Sequence, residues 1–171
     1  MSSTTVSSSS SERPAITIKY QDRVKILDVA GDFNSKLVAV RDFQKGDVVA
    51  PIEGITYGVE KRWSSISENE HIELNSELLY MNHSCDPSVH VNTSAMQVVA
   101  LKDIRAGDDV TFFYPSSEWS MSQAFPCWCG SSKCIKTISG AETLHGNPLF
   151  KVEDHVFNKH ILELMAKQGS A

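Results

Sequence analysis

The sequence predicts a mainly β fold that closes with one amphipathic helix. Short β-branched runs separated by Asp, Gly and Asn are typical of strands, and they occur at 16–20, 24–29, 37–40 and 48–50. A repeated strand-turn-strand pattern accounts for the middle of the chain. After Asn147 and Pro148, apolar residues recur with a period of about 3.6, which predicts the closing helix; they are Leu149, Val152, Val156, Ile161 and Leu164.

The repeat relates VAVRDFQKGDV at 38–48 to VALKDIRAGDD at 99–109. Each copy has one apolar residue in its polar link, Phe43 or Ile104, and a glycine where a positive φ would close the turn. Strands at 96–102 and 110–114 would surround the second copy. Two copies are too few for a solenoid, so we expect two similar β units within one fold.

Composition limits the class of protein. The chain has 171 residues, 41% of them hydrophobic, which suits one domain with an ordinary core. Residues 1–14 are Ser-rich with almost nothing to bury, so we expect a disordered tail. The formal net charge of -5 argues against direct nucleic-acid binding and mildly favours basic partners such as a Lys-rich tail. No apolar run or export signal predicts a membrane segment or secretion, so we expect an intracellular, reducing compartment, cytoplasm or nucleus.

Four cysteines predict a metal site. Three form the pattern C-x-C-x4-C, and the fourth lies in NHSCDP at 82–87; they are Cys85, Cys127, Cys129 and Cys134. This spacing favours one structural zinc ion, since Gly130 permits a tight reversal between the second and third thiolates. Buried free thiols and disulfides are the alternatives, although disulfides fit a reducing compartment poorly. His83 could replace one thiol, but a hydrogen bond suits it better.

Three ordered motifs resemble the SET domain with its post-SET zinc motif, a family of protein-lysine methyltransferases that use S-adenosylmethionine. They are YMNHSCDP at 80–87, GDDVTFFY at 107–114 and the cysteine knuckle. The resemblance covers about 16–140. It implies small curved sheets with a knot-like crossing beside the active site, and a zinc ion on the four cysteines.

The resemblance also implies the roles of individual residues. Tyr114 corresponds to the catalytic tyrosine, and Tyr80 is a candidate for a second ring in the lysine channel; Tyr57 is a weaker candidate, for which ordinary packing is the better interpretation. The residues that correspond to the family's cofactor site are Asn34, Lys36, Leu37, Asn82, His83, Tyr114 and Ile135. A lysine ammonium cannot attack a methyl group, so a desolvated channel must favour the neutral amine.

Two departures from the family keep other functions open. The family's G-x-G pair is replaced by Asn34-Ser35-Lys36, and Lys36 would either bind the cofactor carboxylate or block the site. The segment that shapes the peptide groove, 54–78, is short and would leave an open site. The alternatives to a lysine methyltransferase are therefore a binding or regulatory module without methyl transfer, and an enzyme of specialised metabolism acting on a small molecule.

The expected organisation has four parts. After the tail come a SET domain at 15–122, a zinc knuckle at 123–140 and a helical extension at 141–171. His155 and His160 are expected on a solvated helix surface, because their spacing does not suit a shared metal.

Overall fold

The computed structural model describes residues 16–29, 35–58, 64–65 and 70–169. The expected tail at 1–14 and the candidate Asn34 lie outside these residues. Short strands in small sheets dominate the described part, as expected. The strands are β1 Val24–Leu27, β2 Lys36–Ala39, β3 Val48–Pro51, β4 Thr56–Gly58, β5 Ser64–Ser65, β6 His71–Glu73, β7 Asn82–His83, β8 Val89–Asn92, β9 Gln97–Ala100, β10 Thr111–Phe112, β11 Phe125–Pro126 and β12 Thr137–Ile138.

The described strands form five separate sheets of two or three strands. β1 pairs with β2, β11 pairs with β12, and the orders β3-β9-β8 and β4-β6-β5 are antiparallel. Among the strands that the structure describes, β7 and β10 form the one parallel pair. In β8, Val89, His90 and Val91 are all buried, so both faces of this strand lie in the interior. Such a strand shows no polar alternation, which explains why the sequence pattern did not reveal it.

The two copies of the repeat pair with each other, which confirms the expectation of two similar units. Phe43 and Ile104 exchange both backbone hydrogen bonds, at 2.8 and 2.9 Å. The Gly46 N–H donates to Ala100 in the other copy, and the Gly107 N–H donates to Ala39, both at 2.8 Å. Both glycines have a positive φ, of 95° and 96°. The units are therefore related by a local twofold symmetry.

Carboxylates strengthen the same symmetric contact. The Asp42 side chain accepts a hydrogen bond from Ala106 N–H at 2.8 Å, and the Asp103 side chain accepts one from Lys45 N–H at 2.9 Å. Each bond joins a polar link to its counterpart 58 or 64 residues away. Every turn is thus completed by the other copy.

Two hydrophobic cores meet where β10 ends, since Phe112 belongs to the first and Phe113 to the second. The first contains the repeat units and the apolar residues of β2, β3, β8 and β9. The second contains Cys85, Phe113, Cys134 and the apolar residues that follow Cys134, which are Ile135, Ile138, Ala141, Leu144, Phe157 and Ile161. Tyr114 packs against both cores.

The closing helix is present but shorter than the periodicity suggested. α1 spans Lys159–Gly169 and buries Ile161 and Leu164. Leu149, Val152 and Val156 are about half exposed and precede it. Within the described residues α1 is the longest helix, and it is too short and too polar to cross a bilayer.

Asn158 explains where α1 begins. Its carbonyl accepts hydrogen bonds from Ile161 N–H and Leu162 N–H, so the helix starts directly behind it. Its buried amide donates to Val91 O and Ser116 O at 2.9 and 3.0 Å, and accepts from Thr93 N–H at 2.9 Å. Its backbone N–H donates to Ser116 O at 3.0 Å and not to a preceding helical turn, so the helix does not extend further towards the N-terminus.

The strand expected at 16–20 is wrong. The backbone N–H groups of Lys19 and Tyr20 donate to the carboxylate of Glu77, a side chain that is 1% exposed, and Thr17 forms only an isolated bridge with Ser76. A buried carboxylate here takes the place of a partner strand.

Candidate active site and metal centre

Strands β7 and β10 bring the NHSC and TFFY segments side by side. Asn82 lies opposite Thr111, and His83 opposite Phe112. The pair continues beyond β7 through Ser84 N–H, which donates to Phe112 O at 3.0 Å. This short parallel contact joins segments far apart in the sequence, and it positions Tyr114 at its end.

Tyr114 is held at both its backbone and its ring. Its N–H donates to His83 Nδ1 at 3.2 Å, and its hydroxyl donates to Met81 O at 3.3 Å. Its ring lies 4.7 Å from that of Phe112. Burial, and secondly the charge of Glu118, raise the pKa of Tyr114 far above its ordinary value. The phenol therefore stays neutral and keeps lone pairs available for an amine donor.

His83 connects Tyr114 to the cysteines. Its Nδ1 accepts from Tyr114 N–H, so the neutral ring must carry its proton on Nε2. Nε2 lies 3.3 Å from Cys85 Sγ and donates to that sulfur. Burial lowers the pKa of His83 to about 3, which keeps this tautomer neutral. A thiolate bound to a metal is a suitable acceptor for such a bond.

The four cysteine sulfurs converge. All four Sγ atoms lie within 4.8 Å of one another. Zinc-sulfur bonds of about 2.3 Å in a tetrahedron place neighbouring sulfurs about 3.8 Å apart, and the Cys85 and Cys127 sulfurs are separated by 3.8 Å. Gly130 has a φ of 71°, which permits the chain reversal inside the knuckle. The cluster can therefore hold a metal ion.

The protonation of the thiols also suits a metal site. Burial raises the pKa of Cys85 well above its ordinary value and that of Cys127 to about 11. Burial acts in the same direction on Cys129, but hydrogen bonds with the backbone of Cys85 and Ser131 and with neighbouring thiols lower its pKa to about 7. One thiol thus ionises readily, and a divalent cation would supply the charge that favours the other thiolates.

Backbone bonds fix the knuckle to the second core. Strands β11 and β12 flank it, and Cys127 N–H donates to Lys136 O at 2.7 Å. Ile135 and Ile138, directly after the last cysteine, are 1% and 0% exposed. Metal binding would therefore be coupled to the packing of this core.

Several of the candidate cofactor residues lie on or beside β7. The Asn82 amide donates to Ser35 O at 3.2 Å, which brings the 35–37 segment beside that strand. Lys36 Nζ lies 2.7 Å from Asp109 Oδ1. Leu37 is fully buried and its carbonyl accepts from Val110 N–H. The buried Ile135 belongs to the second core, against which Tyr114 also packs.

The candidate rings differ in their surroundings. Tyr80 ends the 3₁₀ helix Glu77–Tyr80 and, like Tyr114, packs half-buried against the first core. Tyr57 lies on β4 and is 59% exposed. Of these two candidates, only Tyr80 therefore shares a core with Tyr114.

Two titratable residues near this site were not predicted. Glu118 follows Tyr114 by four residues, and burial raises its pKa to about 8. His155 stacks on Phe113 with ring centroids 3.9 Å apart and an interplanar angle of 11°. The expectation that His155 and His160 occupy a solvated helix surface is wrong, because His155 precedes α1 and both are partly buried. Four-residue spacing after a candidate tyrosine is the only sequence signal for Glu118.

Known proteins share these features. Residues 34–115 match the SET domain family. The chain is 41% identical over 98 residues to Methyltransferase flvH of Aspergillus flavus. This alignment covers 56% of this chain and 53% of that protein. It is 31% identical over 67 residues to an H3 lysine-36 specific histone-lysine N-methyltransferase of Debaryomyces hansenii, covering 36% of this chain and 9% of that protein. The chain thus spans about half the length of the first relative and a small part of the second.

Among solved structures, KRYPTONITE in complex with mCHH DNA, an H3(1-15) peptide and SAH has a similar fold. The TM-score is 0.51 at 17% identity, over 67% of this chain and 29% of that chain. At this identity the likeness concerns the fold alone. Residues 34–115 of the chain are therefore similar to the SET domain, and its four cysteines are compatible with the post-SET zinc motif.

Proposed function

We propose that the protein is an S-adenosylmethionine-dependent N-methyltransferase whose acceptor is the side-chain amine of a lysine in a protein or peptide. The observation that carries this proposal is the placement of the Tyr114 hydroxyl beside β7, in a chain whose residues 34–115 are similar to the SET domain. The relatives named as methyltransferases, including the histone-lysine enzyme, support both the reaction and the substrate class.

We assign the cofactor to the surface around β7, with Asn34, Lys36, Leu37, Asn82, His83, Tyr114 and Ile135 as the contributing residues. The bond between Asn82 and Ser35 supports this assignment, because it gathers two distant segments. The ammonium of Lys36 uses one of its three donors on Asp109, so it retains donors for a carboxylate. The bound cofactor supplies an electrophilic methyl group on a sulfonium.

The chain's own residues would align the amine and keep it neutral. The Tyr114 hydroxyl donates to Met81 O and offers its lone pairs to an amine N–H. Tyr80 is proposed as a second ring beside it. Burial around Tyr114 disfavours charge, so it favours the neutral, nucleophilic amine over the ammonium. Alignment is the main contribution to a displacement of this kind.

We assign one structural zinc ion to Cys85, Cys127, Cys129 and Cys134. The Nε2–H of His83 would orient the Cys85 thiolate, and the same ring holds the backbone of Tyr114. The metal would thus connect the knuckle at 123–140 with the SET domain at 15–122 and stabilise the extension at 141–171.

The net charge of -5 supports a basic peptide as partner, with no direct contact to nucleic acid or membrane. Four free thiols arranged for a metal support a reducing compartment, either cytoplasm or nucleus. A small primary amine is the second candidate substrate. It is favoured by the short 54–78 segment and by the relative named simply a methyltransferase.

The test is incubation of the metal-loaded protein with S-adenosylmethionine and either histone-derived peptides or small primary amines. We expect a product heavier by one methylene unit, abolished by Tyr114→Phe. Calorimetry would follow cofactor binding in both proteins. A wild-type chain that binds no cofactor at millimolar concentration would refute the proposal and favour a binding module that does not transfer methyl groups.

A further inference from the structure

Asp86 and Lys133 lie directly next to two of the four cysteines. Asp86 follows Cys85 in the NHSC segment, and Lys133 precedes Cys134 at the end of the cysteine pattern. The Lys133 Nζ lies 3.5 Å from Asp86 Oδ1. This ion pair therefore joins the same two segments of the chain that a metal ion would join through Cys85 and Cys134.

Asp86 is fixed on the side of the repeat units by Lys102, which belongs to the second copy. The Lys102 Nζ lies 2.9 Å from Asp86 Oδ2 and also donates to Asp86 O at 3.0 Å. Asp86 N–H donates to Ser84 Oγ at 3.1 Å. Because both its carboxylate and its backbone are bonded, Asp86 offers Lys133 a partner in a defined position.

The turn of the knuckle fixes the backbone around Lys133. Lys133 N–H donates to Ser131 Oγ at 3.0 Å, and Cys134 N–H donates to Ser131 O at 3.1 Å. The place of Lys133 thus constrains the place of the thiol that follows it. The side chains of Asp86 and Lys133 are 49% and 42% exposed, so their ion pair does not depend on burial of the thiols.

We propose that Asp86 and Lys133 are positioning residues for the metal site, and that their ion pair holds the knuckle against the NHSC segment before the metal binds. This inference rests on the metal site proposed above and is independent of methyl transfer. A link already closed beside Cys85 and Cys134 lowers the entropy cost of gathering the four thiols, so it raises the metal affinity.

The exposure of the pair sets the size of the effect. Water and salt screen exposed charges, so an ion pair of this kind stabilises weakly. We expect loss of either charge to weaken metal binding about two- to fivefold, equivalent to about 0.4–1 kcal/mol. A lost thiolate ligand would have a much larger effect, which distinguishes a positioning residue from a ligand.

The test is competition between the metal-free protein and a chelator for Co²⁺, whose thiolate complexes absorb light where zinc complexes do not. Asp86→Asn and Lys133→Met should each bind more weakly than the wild type, with an unchanged four-thiolate spectrum. Both deficits should shrink towards 1 M salt, where the Debye length is about 3 Å. The control Glu163→Gln breaks an ion pair of the same 3.5 Å length, to Lys159 at the start of α1, and should bind Co²⁺ like the wild type.

The opposite charges of the pair separate positioning from direct attraction of the cation. If Asp86 acted only by attracting the metal, Lys133→Met would remove a positive charge and strengthen binding, whereas our proposal requires weaker binding. The double variant should bind no more weakly than the weaker single variant, because both changes break the same contact. Asp86→Glu keeps the charge and should recover part of the affinity.

Three results would overturn the role of the pair: wild-type affinity in both single variants, tighter binding by Lys133→Met, or deficits that stay the same at 1 M salt. A wild type whose Co²⁺ spectrum lacks the thiolate charge-transfer bands would instead overturn the metal site proposed above, and this inference with it.

Discussion

Replacing Asn158 with alanine should weaken the junction between the C-terminal extension and the SET domain. The Asn158 side chain is 3% exposed and makes three hydrogen bonds, to Thr93 N–H, Val91 O and Ser116 O. Ser116 lies two residues after Tyr114. The amide therefore joins strand β8, the segment behind the candidate tyrosine and the start of α1.

The magnitude follows from these bonds. Each buried hydrogen bond contributes about 1 kcal/mol net, and a buried partner left unpaired costs about 1–3 kcal/mol. Because the alanine methyl replaces none of the three, we expect a loss of about 3–4 kcal/mol in the free energy of unfolding. For a domain of this size that corresponds to a fall in Tm of about 6–16 °C.

Denaturant unfolding of the metal-loaded protein measures this loss, with Asn75→Ala as the matched control. Asn75 also donates twice from its amide, to Gly54 O and Thr56 Oγ1, but both of these bonds are exposed to solvent. Water can replace those bonds, so the control should lose no more than about 1 kcal/mol. Equal losses in the two variants would refute the reasoning that burial of Asn158 makes its bonds valuable.

Three further predictions concern the metal, the cofactor surface and acid stability. Cys134→Ser should lower the metal content per chain and unfold the second core, as measured by elemental analysis and near-UV circular dichroism; full metal content with native packing would contradict the four-thiolate site. Lys36→Met should weaken cofactor binding about tenfold in calorimetry, whereas tighter binding would identify Lys36 as an obstruction. Burial lowers the pKa of His90 from 6.5 to about 4. Between pH 4 and pH 6.5, His90 therefore binds a proton in the unfolded chain but not in the folded chain. Stability should therefore fall by about 3 kcal/mol as pH drops from 6.5 to 4, and His90→Gln should remove this part of the acid sensitivity; parallel pH curves for the two proteins would refute it.

The parts predicted from sequence were those with a local signature. The repeat at 38–48 and 99–109 was visible because each copy needs the same Asp, Gly and apolar residue to form its turn. The metal site was recognisable because three of the cysteines lie close together in one loop, in a spacing typical of zinc ligands, and the fourth is a single distant thiol. The helical period at Ile161 and Leu164 correctly predicted the buried face of α1.

The parts that could not be predicted depend on long-range partners. The 16–20 run has strand-like residues, but its N–H groups are satisfied by Glu77, whose burial no local pattern indicates. Leu149, Val152 and Val156 match the helical period by coincidence and remain exposed. Asn158 has an ordinary polar sequence context, and only the folded arrangement reveals that it is buried and bonded to Ser116, two residues after Tyr114.

The reciprocal pairing of the two repeat units has a consequence for how the chain folds. Neither copy can complete its turn until the other has arrived, and the closing bonds between Lys45 and Asp103 and between Asp42 and Ala106 span 58 and 64 residues. Contacts of such sequence separation must overcome the entropy of a large loop before they stabilise anything, which slows folding. The first half of the domain is therefore expected to stay unstructured on the ribosome until the second has emerged.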